Sequence, residues 1–260
     1  MGARRLPHAQ PPRTHALSRA GVVAALDREA RSFSLRTRRR DGLFEVADGT
    51  LVAVSGMGRA AAVGAAGALV DAGATALVSW GLAGGLDPGL QAGTICLPSV
   101  VVSRDGTAFA TDLHWREILR AAIGQRLIVV SGKLLTSAVA LEDVAAKAAA
   151  FAETGAVAVD MESVGVAQIA ALNKLPFVAV RAIIDTAGDT LPRAVMGAGV
   201  EGRVRLAPLI LGIVRSPREI APLMRLAKRY RAAIRALAAV ARTGALAPLA
   251  FGAAHSDRIA

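Results

Sequence analysis

The sequence predicts a single α/β domain, with a mixed, largely parallel central sheet and helices on both faces. Three observations carry that expectation. Short apolar runs with strand character alternate with helical patterns along the chain, which is the order that builds parallel sheets. At 260 residues and 53% hydrophobic, the chain is long enough to bury a full core. Aromatics make up only 3% while glycine and alanine are abundant, which suits close packing of helices on a sheet.

The elements follow in order. Strands are expected at Gly21–Ala25, Leu51–Ser55, Ala76–Trp80, Thr94–Val102, Leu127–Ser131, Ala156–Val159 and Phe177–Ile184. Helical spacing marks Arg59–Ala72, Leu141–Thr154 and Glu162–Asn173. The stretch Ala60–Leu86 is apolar except for Asp71, but it is rich in Ala and Gly and broken by "DAGAT". It reads as helix, turn and strand, not as a membrane span.

The first 19 residues are basic and Pro-rich without an apolar centre, so they read as a disordered leader and not a signal peptide. Residues 20–200 form the expected catalytic domain, 201–248 a basic helical extension packed on it, and 249–260 a flexible tail. The lone Cys96 excludes a disulfide framework and fits a reducing compartment, so the expected location is the cytoplasm. His8, His15, His114 and His255 show no metal-ligand spacing, and neither metal nor cofactor is expected.

The net charge is +11, and its excess is concentrated near the C-terminus. From Arg203 to Arg242 there are ten Lys/Arg against one acid, Glu219. In "PLMRLAKRYRAAIRALAAVA", Leu223, Leu226, Tyr230, Ile234 and Leu237 recur at helical spacing, with Arg225, Lys228, Arg229, Arg231 and Arg235 on other faces. Such a helix either packs by one side with its charges solvated or lies peripherally on an anionic inner-membrane surface. No nucleic-acid module accompanies the charge, and nucleic acid is not an expected partner.

The stretch "AVAVDMES", residues 156–163, sets Asp160 and Glu162 where a strand runs into a helix. A buried carboxylate is costly unless paired, so the pair sits at a rim or is kept for a ligand. In open α/β sheets ligands gather beyond the carboxyl ends of the strands. A second acid-bearing loop, "IIDTAGD", follows the next strand. "VAVSGMGRAAA" offers Gly56, Gly58 and Ala61 in dinucleotide-binding spacing, but the next strand ends in Ser79 and Trp80 without the ribose-binding acid. A turn that needs glycine freedom is the better account.

Taken together, several segments resemble the purine-nucleoside phosphorylase and nucleosidase superfamily. They are "GVVAALDREA", "VSGMGRAAA", "VSWGLAGGLDPGLQAGTICLPSVVV", "AVDMES" and "PFVAVRAIIDTAGD", in order from Gly21 to Asp189. With "GKLLTSAVA", the Thr111, Asp112 and Trp115 pattern and the Pro- and Arg-containing tail, the chain is most similar to the hopanoid-biosynthesis-associated nucleosidases. That resemblance implies release of adenine from adenosylhopane. It further implies Asp185 as the acid toward purine N7, Glu29 as the base for water, and Glu162 with Met161 on the ribose. Gly84 and Gly58 become substrate-binding backbone positions, and a homodimer is implied. The Arg that phosphorylases of the superfamily place before the central glycines is Ser79 here, which favours hydrolysis over phosphorolysis. Phosphorolysis, or mere binding of a nucleoside or lipid without turnover, are the alternatives.

Overall fold

The computed structural model describes residues 19–33, 38–40, 42–190, 199–200, 203–204 and 220–246. The leader at 1–18, the tail beyond 246 and the apolar run Leu206–Val214 lie outside the described residues.

The chain begins with β1 (Ala20–Ala24), a single helical turn α1 (Asp27–Ala30), β2 (Arg38–Arg40), β3 (Leu43–Glu45) and β4 (Leu51–Val54). Then come α2 (Arg59–Asp71), β5 (Ala76–Gly85), β6 (Ile95–Cys96), β7 (Val100–Ser103), β8 (Ala108–Ala110) and α3 (Leu113–Ile123). β9 (Val129–Val130), β10 (Lys133–Thr136), α4 (Val144–Thr154), β11 (Ala156–Asp160), α5 (Ser163–Leu172) and β12 (Phe177–Asp185) complete the core. A two-stranded ladder, β13 (Gly199–Val200) with β14 (Arg203–Val204), precedes the terminal helix α6 (Ile220–Ala241).

The sheet is mixed and mostly parallel. β1 lies parallel between β4 and β5, β12 runs parallel to β5, and β10 lies parallel between β7 and β11. β5 is the hub because it changes partners along its length. Gly84 and Gly85 pair antiparallel with Val159 and Ala158, while earlier residues hold β1 and β12. The expected strand Ala76–Trp80 therefore continues through what reads as a Gly-rich loop.

Helices cover both faces. On one side α2 and α5 bury Ala62, Ala66, Leu69, Val164, Val166 and Ala167. Their approach requires Gly165, where a methyl group would stand 2.6 Å from the Arg59 carbonyl oxygen. On the other side Trp115, Leu119 and Ile123 of α3 meet Ala233, Ala236, Leu237 and Val240 of α6. A smaller cluster under α4 contains Leu86, Leu135, Ala150, Ala156 and Val159.

Local chemistry sets the helix ends. The Asp112 carboxylate accepts from Trp115 N at 2.8 Å, and Asp143 accepts from Ala146 N at 2.7 Å. α4 stops at Gly155, whose φ of 64° is left-handed. α4 therefore starts three residues later than the pattern from Leu141 suggests. Pro98 falls where the expected strand Thr94–Val102 divides into β6 and β7. α3 is a helix that the alternating pattern did not mark. Within the expected extension at 201–248, Arg203–Val204 is strand and Ile220–Ala241 is helix, with the apolar side of that helix against the core.

Candidate active site

Three buried acids, Glu29, Glu162 and Asp185, come together around the glycine-rich end of β5. Each follows the carboxyl end of a strand, which is where the chain turns and a ligand can reach the backbone.

Glu29 sits on α1, just after β1, and is only 3% exposed. It is not a surface acid. Its Oε2 accepts from Leu26 N at 2.9 Å and its Oε1 from Leu82 N at 2.9 Å. Those two amides fix the plane of the carboxylate. The Leu82 contact is made by backbone, so the residue's apolar side chain does not disturb it. Burial pushes the carboxyl up to about 7; Arg181 and the two amides oppose the rise, and Glu162 adds to it. Trp80 anchors the same turn, with Nε1 donating to Ser32 Oγ at 2.9 Å and its ring 4.8 Å from that of Phe33.

Glu162 is 6% exposed and closes the turn between β11 and α5. Its Oε1 accepts from Gly58 N at 2.9 Å, and its Oε2 from Met161 N at 3.3 Å. Gly58 is thereby tied to Glu162, and its φ of 96° explains why glycine starts α2. Burial raises the Glu162 carboxyl, Arg181 pulls it down and Asp160 pushes it up.

Arg181, within β12, connects these acids. Its guanidinium lies 2.6 Å from Asp160 Oδ2 and 3.8 Å from Glu162 Oε2, and it donates to Ser79 Oγ at 2.6 Å and Ser163 Oγ at 3.1 Å. Burial works against its charge, but Asp160, Glu162 and Glu29 outweigh that and hold it protonated. A side chain at Gly81 would collide with both Arg181 Nη1 and Glu29 Oε1, each 2.6 Å from where its Cβ would be. Asp160 also accepts from Thr136 Oγ1 at 2.7 Å and from Ser163 N at 3.2 Å. Asp160 thus holds the first amide of α5, although Glu162 occupies the N-cap position, and it anchors Arg181 as well.

Asp185 ends β12. The pairing of β12 with β5 slips between Ile183 and Asp185, so that Asp185 stands opposite Gly84. This bulge at Ile184 re-aims the acid. The Cβ of a residue at 84 would lie 3.4 Å from each Asp185 carboxyl oxygen, so Gly84 admits the carboxyl against the strand. Burial raises the Asp185 carboxyl, Lys147 and Arg229 oppose the rise, and Asp189 adds to it.

Lys147, from α4, is completely buried and its ammonium pairs directly with Asp185 Oδ2. It also donates to the carbonyls of Thr186 and Asp189, both at 2.9 Å. Asp189 in turn pairs with Arg229 of α6 and accepts from Thr186 N at 2.8 Å. The loop after β12 is thus held from two sides.

Sequence reasoning placed Glu29, Met161, Glu162 and Asp185 but passed over Arg181 and Lys147. Arg181 left a signal, since a lone arginine inside "FVAVRAIID" has to be paired. Lys147 left none, because a lysine in an Ala-rich helix reads as solvent-facing.

Linked acids thus lie beyond the ends of β1, β11 and β12, where ligands gather in folds of this class. The profile of the Phosphorylase superfamily matches residues 21–215, and the chain belongs to that family. No curated protein matches it in sequence. Among solved structures, it is similar to the 5′-methylthioadenosine/S-adenosylhomocysteine nucleosidase of Neisseria meningitidis, in complex with methylthio-immucillin-A. The TM-score is 0.66 at 19% identity, over 87% of this chain and 98% of that one. The corresponding nucleosidase of Colwellia psychrerythraea, in complex with adenine, gives 0.65 at 22% identity, over 89% and 96%. Futalosine hydrolase of Helicobacter pylori gives 0.64 at 14%, over 88% and 99%.

Proposed function

We propose that the chain hydrolyses the N-glycosidic bond of an adenosyl compound and releases adenine, and that its substrate is adenosylhopane in hopanoid maturation. The observation that carries the reading is the placement of two buried acids along one strand, Glu29 beside Gly81 and Asp185 beside Gly84. Three residues of extended chain separate those glycines by about 10 Å. That distance lets one acid work on the sugar and the other on the base.

Bond cleavage develops positive charge on the ribose and negative charge on the purine. Glu29, raised to about 7, takes a proton from water as the oxygen attacks C1′. The C1′–N9 electron pair goes to the purine, and Asp185 delivers a proton at N7. Glu162 accepts hydrogen bonds from the ribose hydroxyls and Met161 packs on the sugar, with Gly58 and Gly84 as backbone contacts. Similarity to nucleosidases crystallised with adenine and with methylthio-immucillin-A supports this substrate class.

Phosphate would need free cations near the sugar. Arg181 is engaged by Asp160, Glu162 and two serines, which favours water as the nucleophile. A lipid substrate also implies a cytoplasmic enzyme that works peripherally at the inner membrane, and a homodimer is part of the same reading.

The test is adenine release from methylthioadenosine and from adenosylhopane, with and without phosphate. The expected result is phosphate-independent release that falls at least about 100-fold in Asp185→Asn with the fold retained. Release only with phosphate would replace water by phosphorolysis. No release from either compound would leave a binding protein.

A further inference from the structure

We propose that Lys147 is the proton source of this site: its ammonium re-supplies, through Asp185, the proton that the departing purine takes. The inference rests on the nucleosidase reading and adds a residue to it. Lys147 acts through Asp185 and touches no substrate, so it is a positioning and proton-supplying residue.

The geometry is unusual for a group that must donate a proton. An acid whose carboxyl is in direct contact with an ammonium tends to be ionised, and a carboxylate has no proton to give. The Lys147 ammonium is the acidic group in contact with Asp185, and it is completely buried. Its three N–H donors are matched by three acceptors: Asp185 Oδ2 and the Thr186 and Asp189 carbonyls. No water is needed to satisfy it, so a ligand can close the site without stranding the charge.

The other charged groups that act on Asp185 are Asp189, on its own loop, and Arg229 of α6. They pair with each other. Their charges largely cancel, which leaves Lys147 as the group that sets the proton content of Asp185.

The step balances. Lys147 passes one proton to the Asp185 carboxylate, and Asp185 hands that proton on to N7 as the C1′–N9 bond breaks. The result is a neutral amine, a carboxylate and a protonated base. Once adenine leaves, Glu29 gives the proton it took from water to the solvent, and the Lys147 amine takes one back from it.

Two substitutions separate a proton source from a structural tie. Lys147→Met leaves Asp185 alone. If Lys147 supplies the proton, activity in the unmutated enzyme persists until the pair loses its shared proton, so the falling limb of kcat against pH moves to lower pH in Lys147→Met. If Lys147 merely depresses Asp185, its removal moves that limb to higher pH. Lys147→Arg keeps the charge and donors but cannot give up a proton at working pH. Its kcat should fall by about 100-fold or more, with little change in KM.

A falling limb that stays in place or rises in Lys147→Met, or an Arg variant that matches the unmutated enzyme, overturns the proposal. Circular dichroism checks folding, and Lys147→Gln replaces whichever variant does not fold. If none of the three folds, Lys147 is a structural tie and the proposal falls. An unmutated chain that releases no adenine at any pH sinks the nucleosidase reading itself, before any variant is compared.

Discussion

Glu29 shows how one residue links stability to reactivity. A carboxyl raised from 4.5 to about 7 is stabilised in its protonated form by the fold. Its contribution is therefore fully present below pH 4.5, and it is lost as pH rises through about 7. The shift corresponds to about 3 kcal/mol over that window. Glu162 and Asp185 are raised too and act in the same direction. In Glu29→Gln, the fall in unfolding free energy between pH 4.5 and 7 should shrink by roughly that amount. Urea titrations at a series of pH values read it directly. The same variant should remove the rise of kcat through about pH 7 that marks ionisation of the base. A stability slope unchanged by the substitution would show that Glu29 does not carry the buried proton.

At the scale of elements, much of the fold was legible, and the exceptions have physical reasons. Strands that are apolar on both faces, such as β1 and β12, announce themselves as runs of Val, Ile and Ala. β5 is different. Its second half reads "GLAGG", which looks like a loop, yet pairing with β11 and β12 makes it strand. α3 carried its own signal: Asp112 as cap, then Trp115, Leu119 and Ile123 at a spacing of four. Of the site, Glu162 and Asp185 stood out as acids at strand ends, whereas Glu29 was named only through the family resemblance. Arg181 on β12 left a signal that was passed over, while Lys147 on α4 left none, since only tertiary packing decides that a lysine in an Ala-rich helix is buried. β5 also yields a test. Gly84→Ala would bring a methyl group 3.3 Å from Val159 Cγ1 and 3.4 Å from both Asp185 carboxyl oxygens. A shift of a few tenths of an ångström accommodates it. Stability should change by less than about 1 kcal/mol while kcat falls about tenfold or more, because the acid is displaced. Equal thermal stability with equal kcat would mean that the carboxyl does not depend on the glycine.

For the whole molecule, the decisive asymmetry is the charge. No described helix is long and apolar enough to cross a membrane. Under the lipid-substrate reading proposed above, contact is made at the surface, and α6 is the basic element proposed for it. Its Ala233, Ala236, Leu237 and Val240 are buried in the core, while Arg225, Lys228, Arg231 and Arg235, with Arg242 one residue past its end, are exposed. At 100° per residue, Lys228, Arg231, Arg235 and Arg242 fall within about 60° of one another, a single stripe. Arg229 is excluded from it because it holds Asp189 beside the acid loop. Each basic residue near an anionic leaflet contributes on the order of 1 kcal/mol and is screened within a Debye length of about 10 Å at 0.1 M salt. Four such residues suffice for reversible attachment. Cosedimentation with anionic vesicles should thus be strong at low salt, weaken steadily along a salt series, and be absent with neutral vesicles. Glu substitutions at the four stripe positions should abolish it without lowering adenine release from water-soluble methylthioadenosine. Release from adenosylhopane in anionic vesicles should fall in the same variant. Binding that ignores lipid charge, or a variant that still acts on vesicle-borne substrate, would return the basic face of α6 to the role of a solvated surface.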